Sequence, residues 1–200
     1  MGADVEVVPG GPLVGVKYAM VARDEEGALR FRSTGCRPGH SRCYDVDARA
    51  VCQTGREHRP PAWHCMCGFY ATPDLDTLRK VWAQEQLDRS TVLLQVQLWG
   101  RVIEHRYGWR AANQSVLAAI WDERCRTCGG RARGFVLPRR SGSPVTQSCP
   151  QCHDDLASPS MVAGELGTEV RFGSGIVPSN LWSQPNGRAR RWGRALLRLP

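Results

Sequence analysis

The sequence predicts an α+β fold. It reads as a small β-rich domain with one or two helices and a loop-borne metal site, followed by a smaller cysteine-held module. Three observations carry this reading. Apolar residues alternate with polar or small ones in PLVGVKYAMVA and in TVLLQVQLWG, the period of a half-buried strand. Residues 33–68 are rich in Cys, His, Gly and Pro and show little periodicity. So long an irregular stretch is uncommon in a compact domain unless something besides packing orders it. Four more cysteines stand apart as two CxxC pairs.

In chain order, Val14, Val16, Tyr18 and Met20 mark a first strand, RDEEG a turn, and ALRFRS the returning strand of a hairpin, with Leu29 and Phe31 on one face. After the irregular stretch a helix is expected, with Thr72 as N-cap, Pro73 at the first position and Asp74 and Asp76 at the positive end of its dipole. Leu75, Leu78, Val81 and Trp82 would face the core, and the helix would end near Leu87. Val92, Leu94, Val96 and Leu98 define the clearest strand, with Gly100 as a bulge or bend. RVIEHRYGWRA reads as a second extended piece, and NQSVLAAIW as a short helix burying Val116, Leu117, Ile120 and Trp121. These elements divide the chain into a β-rich domain over 1–118, a cysteine module over 119–156, and a Gly/Ser/Pro-rich, largely disordered basic tail over 157–200 with one strand-like patch, GTEVRF.

The second cysteine group is the sharper one. Cys125-x2-Cys128, twenty residues, then Cys149-x2-Cys152 is a zinc-site spacing. A two-residue gap in a tight turn lets both thiolates reach one ion, and two such knuckles joined by a hairpin complete a tetrahedron of sulfurs. Gly129 and Gly130 suit the first turn and Pro150 the second; RARGFVLP and PVTQS would be the hairpin arms, with RRSGS at the tip. The segment resembles a zinc ribbon, a module found in many transcription and translation proteins. Four thiolates leave no open position for water, so the resemblance implies a structural ion rather than a catalytic one. Arg131, Arg133, Arg139 and Arg140 lie on this hairpin and are candidates for phosphate contact.

The first group is less determinate. Cys65 and Cys67 stand at i and i+2, so on an extended chain both thiols point the same way. With Cys52 and His58 they form a set of three sulfurs and one imidazole, a structural zinc combination. Cys36, His40, Cys43 and His64 compete for places: Cys43 could replace Cys52, and His64 could replace His58. Two zinc ions are therefore expected in all. CMCGFYA, taken with LWGRVIEHRYGWRA some thirty residues on, resembles a family of actinobacterial proteins with no established activity. They share a CxCG-aromatic-Ala element, a hydrophobic strand and a GRVIEH…GWRA element. The resemblance spans residues 50–112 and implies a grouping, not a mechanism; the cysteine quartet is an addition to that pattern.

Composition sets the function classes. Net charge is +8, which favours anionic partners such as nucleic acid or an acidic surface. The end, RARRWGRALLRLP, carries five arginines and no acid. On a helical wheel Trp192, Leu196 and Leu199 oppose Arg190, Arg191, Arg194 and Arg198, a basic amphipathic pattern suited to an anionic surface or a nucleic-acid backbone. No apolar run is long enough to span a membrane, and MGADVEVVPGG lacks a secretion pattern, so a cytoplasmic location with reduced thiols is expected. Glu6 stands where a myristoylation motif needs Ser or Thr. HExxH, a Walker loop and GxSxG are all absent, and Glu104 and His105, adjacent on a strand, point to opposite faces. The sequence thus reads as a zinc-stabilised binding protein contacting nucleic acid or a nucleic-acid-associated complex. The alternatives are a protein-interaction adaptor without nucleic-acid contact and a zinc hydrolase.

Overall fold

A computed structural model describes residues 5–7, 11–34, 43–52, 54, 57–82 and 87–177. In chain order the strands are β1 (Val5–Val7), β2 (Leu13–Arg23), β3 (Leu29–Ser33), β4 (Cys43–Tyr44), β5 (Asp47–Arg49) and β6 (Phe69–Ala71). Helix α1 (Leu75–Val81) follows, then β7 (Val92–His105), β8 (Gly108–Asp122), β9 (Gly134–Val136) and β10 (Thr146–Ser148), and finally α2 (Pro159–Leu166) and β11 (Glu169–Gly173). A sheet-rich chain with two helices agrees with the α+β expectation.

The expected hairpin forms between β2 and β3, antiparallel from Ala19↔Ser33 to Arg23↔Leu29. Its turn is held by Asp24, whose Oδ1 accepts from the amides of Glu26 (3.0 Å) and Ala28 (2.8 Å). The main sheet has nine strands and runs β11-β8-β7-β2-β3-β4, with β1 added to β7 and β5 and β6 added to β8. It curls until its margins meet. Thr72, just after β6, exchanges backbone hydrogen bonds with Val16 of β2 (2.8 and 2.9 Å). One face holds the main core, which includes Val21, Phe31, Leu94, Leu98, Val116 and Trp121. A second cluster, with Tyr18, Leu78, Leu93 and Ile176, packs α1 against the opposite face.

β7 and β8 form one long hairpin, joined by Arg106 and Tyr107. Two register shifts interrupt it, between Gln95 and Val96 and between Trp99 and Val102. The second is the irregularity expected at Gly100, whose φ of +79° a side chain would strain. The first corrects the expected helix over NQSVLAAIW. The register passes from Ala118 to Val116, leaving Leu117 as the extra residue, 39% exposed. A period of two with one inserted residue spaces the buried side chains as Val116, Ala119 and Trp121, which imitates helical spacing in the sequence.

Helix α1 is shorter than expected. Asp74, not Thr72, is its N-cap, accepting from the Thr77 amide at 2.7 Å, because Thr72 is committed to the sheet. Leu78 is buried while Val81 is 43% exposed; the expected end near Leu87 crosses residues outside those described.

The domain division also needs correction. A boundary between 118 and 119 falls within β8, and the cysteine module packs on the main core. The Val145 amide donates to the Val21 carbonyl at 2.7 Å, and the Phe135 ring lies 4.8 Å from Trp121. Nor does an irregular tail begin at 157. Ser158 caps α2, Pro159 occupies its first turn, and Gly167 ends it at φ +73°. β11, the GTEVRF patch, pairs parallel to β8 from Glu169↔Ala118 to Gly173↔Asp122, and Phe172 stacks on Phe135 at 5.1 Å. Residues 178–200, with Arg190, Arg191 and Arg194, lie outside the described residues.

Trp121 is fully buried where the sheet, the cysteine module and β11 converge. Trp121→Ala is expected to cost about 3–5 kcal/mol. Urea unfolding followed by circular dichroism and by cysteine accessibility should show one shared transition moved to lower denaturant. Separate transitions would show that the module folds apart from the sheet.

Candidate metal centres

Among the described residues, two groups of four side chains bring their ligand atoms within 4.8 Å of one another: Cys52, His58, Cys65 and Cys67, and Cys125, Cys128, Cys149 and Cys152. In the first, the Cys52 and Cys65 sulfurs are 3.6 Å apart and His58 Nε2 lies 3.1 Å from the Cys67 sulfur. In the second, the Cys128 and Cys149 sulfurs are 3.5 Å apart. A disulfide would need about 2.05 Å. Sulfurs sharing a tetrahedral ion at about 2.3 Å would sit roughly 3.8 Å from each other. The observed separations match the second case, so both clusters are suited to hold a metal ion.

The first cluster is assembled where the irregular loop returns to the sheet. Cys52 follows β5, while Cys65 and Cys67 immediately precede β6, and both short strands pair with β8. Arg110 of β8 fixes the junction. It is 1% exposed, its guanidinium donates to the Cys65 carbonyl, and it lies 5.6 Å from the centroid of the Tyr70 ring. Gly68 makes the approach possible: at φ +118°, a Cβ there would stand 2.6 Å from Arg110 Cγ. Thr54 lies 3.1 Å from the Cys52 sulfur, and hydrogen bonds from its hydroxyl and amide bring that thiol down to about 7. Burial pushes the Cys67 thiol up.

The second cluster sits on paired turns. The Gly129 amide donates to the Cys125 carbonyl (2.9 Å) and the Cys152 amide to the Cys149 carbonyl (3.0 Å), while the Gly130 amide reaches the Cys128 sulfur at 3.4 Å. β9 and β10 join the turns as an antiparallel pair from Gly134↔Ser148 to Val136↔Thr146. Burial raises the Cys125 thiol, but amides of Cys128, Thr127 and Cys149 and the Ser148 hydroxyl outweigh it and bring the thiol down to about 6. Cys152 is pushed up to about 12, chiefly by its hydrogen bond with Cys128 and then by burial. Four crowded thiols cannot all ionise alone. A divalent cation at their centre would remove that conflict.

Among the competing ligands, Cys43 belongs to β4, opposite Arg32, and is not in the cluster. His64 packs edge-on against His58 with ring centroids 5.2 Å apart, also outside the ligand set. Cys36 and His40 lie outside the described residues. Arg131, Arg133, Arg139 and Arg140 are all exposed, the first two beside the cysteine turns and the last two at the hairpin tip. Sequence reading missed Arg110, since an arginine on a strand gives no sign that a loop will cover it.

A third feature opens beside the first cluster: a groove of about 1120 Å³ whose wall includes Met66, Tyr70, His105 and Tyr107. Lys17 reaches it from the face that carries the main core. Its ammonium donates to Gln114 Oε1 at 3.2 Å and lies 5.2 Å from the Tyr44 ring centroid and 5.3 Å from that of Phe69, which offsets part of its desolvation. No helix among the described residues is long and apolar enough to cross a membrane. Comparison with protein-family models, curated proteins and solved structures gave no match.

Gly68→Ala is expected to remove one metal ion per chain while leaving the cysteine quartet loaded, because the added methyl would displace the Arg110 stem and the Cys65 carbonyl it holds. Metal analysis of the purified variant beside Cys149→Ser, which should lose the other ion, checks both halves.

Proposed function

We propose that this chain is a zinc-stabilised binding protein that contacts nucleic acid or a nucleic-acid-associated complex. Its metals are two zinc ions, one on Cys52, His58, Cys65 and Cys67 and one on Cys125, Cys128, Cys149 and Cys152. The observation that carries the reading is the pair of complete four-ligand sets with mutual separations suited to tetrahedral coordination. Sulfur and imidazole donors suit zinc, whereas calcium and magnesium take oxygen ligands. With four protein donors each, both ions are saturated and serve as structure, which argues against the hydrolase alternative.

We read the second cluster with its β9–β10 hairpin as a zinc ribbon, on the strength of two cysteine turns joined by one antiparallel pair. We also retain the grouping with the actinobacterial family. Its two elements, distant in sequence, meet in space: the CxCG-aromatic-Ala element enters β6, and β6 pairs with the GWRA end of β8 from Phe69↔Ala111 to Ala71↔Trp109.

The nucleic-acid part rests on the net charge of +8 and on exposed Arg131, Arg133, Arg139 and Arg140. The adaptor alternative has its own support in exposed Trp63 (43%) and Met66 (80%), which would suit a protein partner.

Elemental analysis should find two zinc atoms per chain. Cobalt substitution should give thiolate charge-transfer bands that do not respond to added anions; a response would mark an open coordination position. Filter binding over a salt series should show affinity falling steeply with salt. Arg139→Glu with Arg140→Glu should flatten the slope by about two. No binding at low salt would leave the adaptor reading.

A further inference from the structure

We propose that the groove beside the first cluster is a stacking platform for single-stranded nucleic acid, with bases lying on Met66 and Tyr107, the Tyr70 ring, itself packed on His105 and Arg110, shaping the wall, and Arg49 and Arg106 facing the phosphates. This rests on the nucleic-acid reading above and names its substrate class and surface.

The platform is made of exposed side chains. Met66 is 80% exposed, Tyr107 48% and Tyr70 39%. The Tyr70 hydroxyl donates to the Met66 carbonyl at 3.1 Å and approaches its sulfur at 3.7 Å. On its other side Tyr70 lies nearly parallel to His105, with centroids 6.0 Å apart and 17° between planes. Tyr107 follows on the β7–β8 turn, with the Arg106 guanidinium 5.0 Å from its ring centroid. All five line the same groove.

Large side chains left this exposed, and held in position, call for an occupant. Tyr70 is held because Arg110 joins the Cys65 carbonyl to its ring, so the loop that carries the ligands also carries Met66 and Tyr70, while Tyr107 stands on the β7–β8 turn. Ordering the rings before contact lowers the entropy lost on binding.

Charge selects among occupants. Exposed Arg49 and Arg106 line the groove, with Lys17 buried behind it, against Asp45 and Asp47, and Asp45 is engaged by Arg30 at 2.7 Å. Exposed rings with guanidinium groups at their faces, in a groove with cations along it, match how unpaired bases are held without sequence preference. A duplex keeps its bases stacked on each other and out of reach of rings in a groove. The platform therefore distinguishes single strands from double strands, as arginines at a hairpin tip alone would not.

The test is fluorescence anisotropy with the full zinc-loaded chain and labelled mixed-sequence RNA and DNA oligonucleotides, single-stranded and as matched duplexes. Tyr107→Ala should weaken single-strand binding by about 5- to 150-fold and Tyr70→Ala, which removes the wall, should weaken it too, whereas Tyr70→Phe, which keeps the ring, should stay within about twofold of the parent. Zinc content equal to the parent's verifies that the variants are folded. Preference of the parent for single strands of RNA or of DNA over duplex supports the platform. Unchanged affinity in Tyr107→Ala and Tyr70→Ala, or equal affinity for duplex, overturns it; if the Arg139/Arg140 variant then loses binding, the broader nucleic-acid reading stands without it. Absence of all binding by the parent at low salt overturns both.

Discussion

Nearly everything in this molecule hangs on the hydrogen bonding of β8 along both edges. One edge is taken by β7; the other is shared in succession by β6, β5 and β11. A strand so occupied buries side chains on both faces, and β8 places Arg110, Gln114, Trp121 and Asp122 at 1% exposure or less. Each polar member of that set is put to use. Arg110 holds the ligand loop, Gln114 receives Lys17, and Asp122 accepts from the amides of Arg124 at 3.1 Å and Val177 at 3.2 Å. The central strand is therefore also the frame to which both cysteine clusters are fastened.

That arrangement explains the division of labour between packing and ligands. The sheet can order itself through its apolar faces, but the described residues between 49 and 68 contribute little to them: among these Pro61, Ala62 and Cys65 are buried, and Val51 is 59% exposed. Such a loop lacks the burial needed to offset the entropy of fixing it, at about 1–2 kcal/mol per residue for the backbone. Four donors converging on one ion supply what its side chains do not. The second cluster differs, because Phe135 and Val145 anchor its hairpin in the main core, leaving the cysteines to order the turns.

How much of this was readable in advance depended on whether the signal was local. β2 and β3 were legible as strands because apolar residues alternate and Asp24 and Gly27 mark the turn, but the face of β2 in the main core is that of Ala19 and Val21, while Val14 of the expected face is 47% exposed. The cysteine quartet was legible because CxxC spacing encodes its own turn geometry. The choice of His58 over His64 was not, since both lie in the same loop and only the path of the chain brings one ring to Cys67. β8 was misread because Leu117, bulged out, shifts the phase of an otherwise regular strand. The α2 boundaries, Ser158-Pro159 and Gly167, were present as ordinary capping signals but sat in a stretch whose Gly, Ser and Pro content spoke for irregularity. Arg110 was invisible because its burial is imposed by a loop more than forty residues away.

The parallel addition of β11 carries a consequence for how the protein is made. Residues 169–177 close the main sheet beside Trp121, and the Tyr18 hydroxyl donates to the Ile176 carbonyl across 158 positions of chain. During synthesis, then, the earliest strands wait for a piece that leaves the ribosome long after them. Until it arrives, the margin of β8 and the ring faces of Trp121 and Phe135 stand open, the kind of surface on which nascent chains stick to one another and to chaperones.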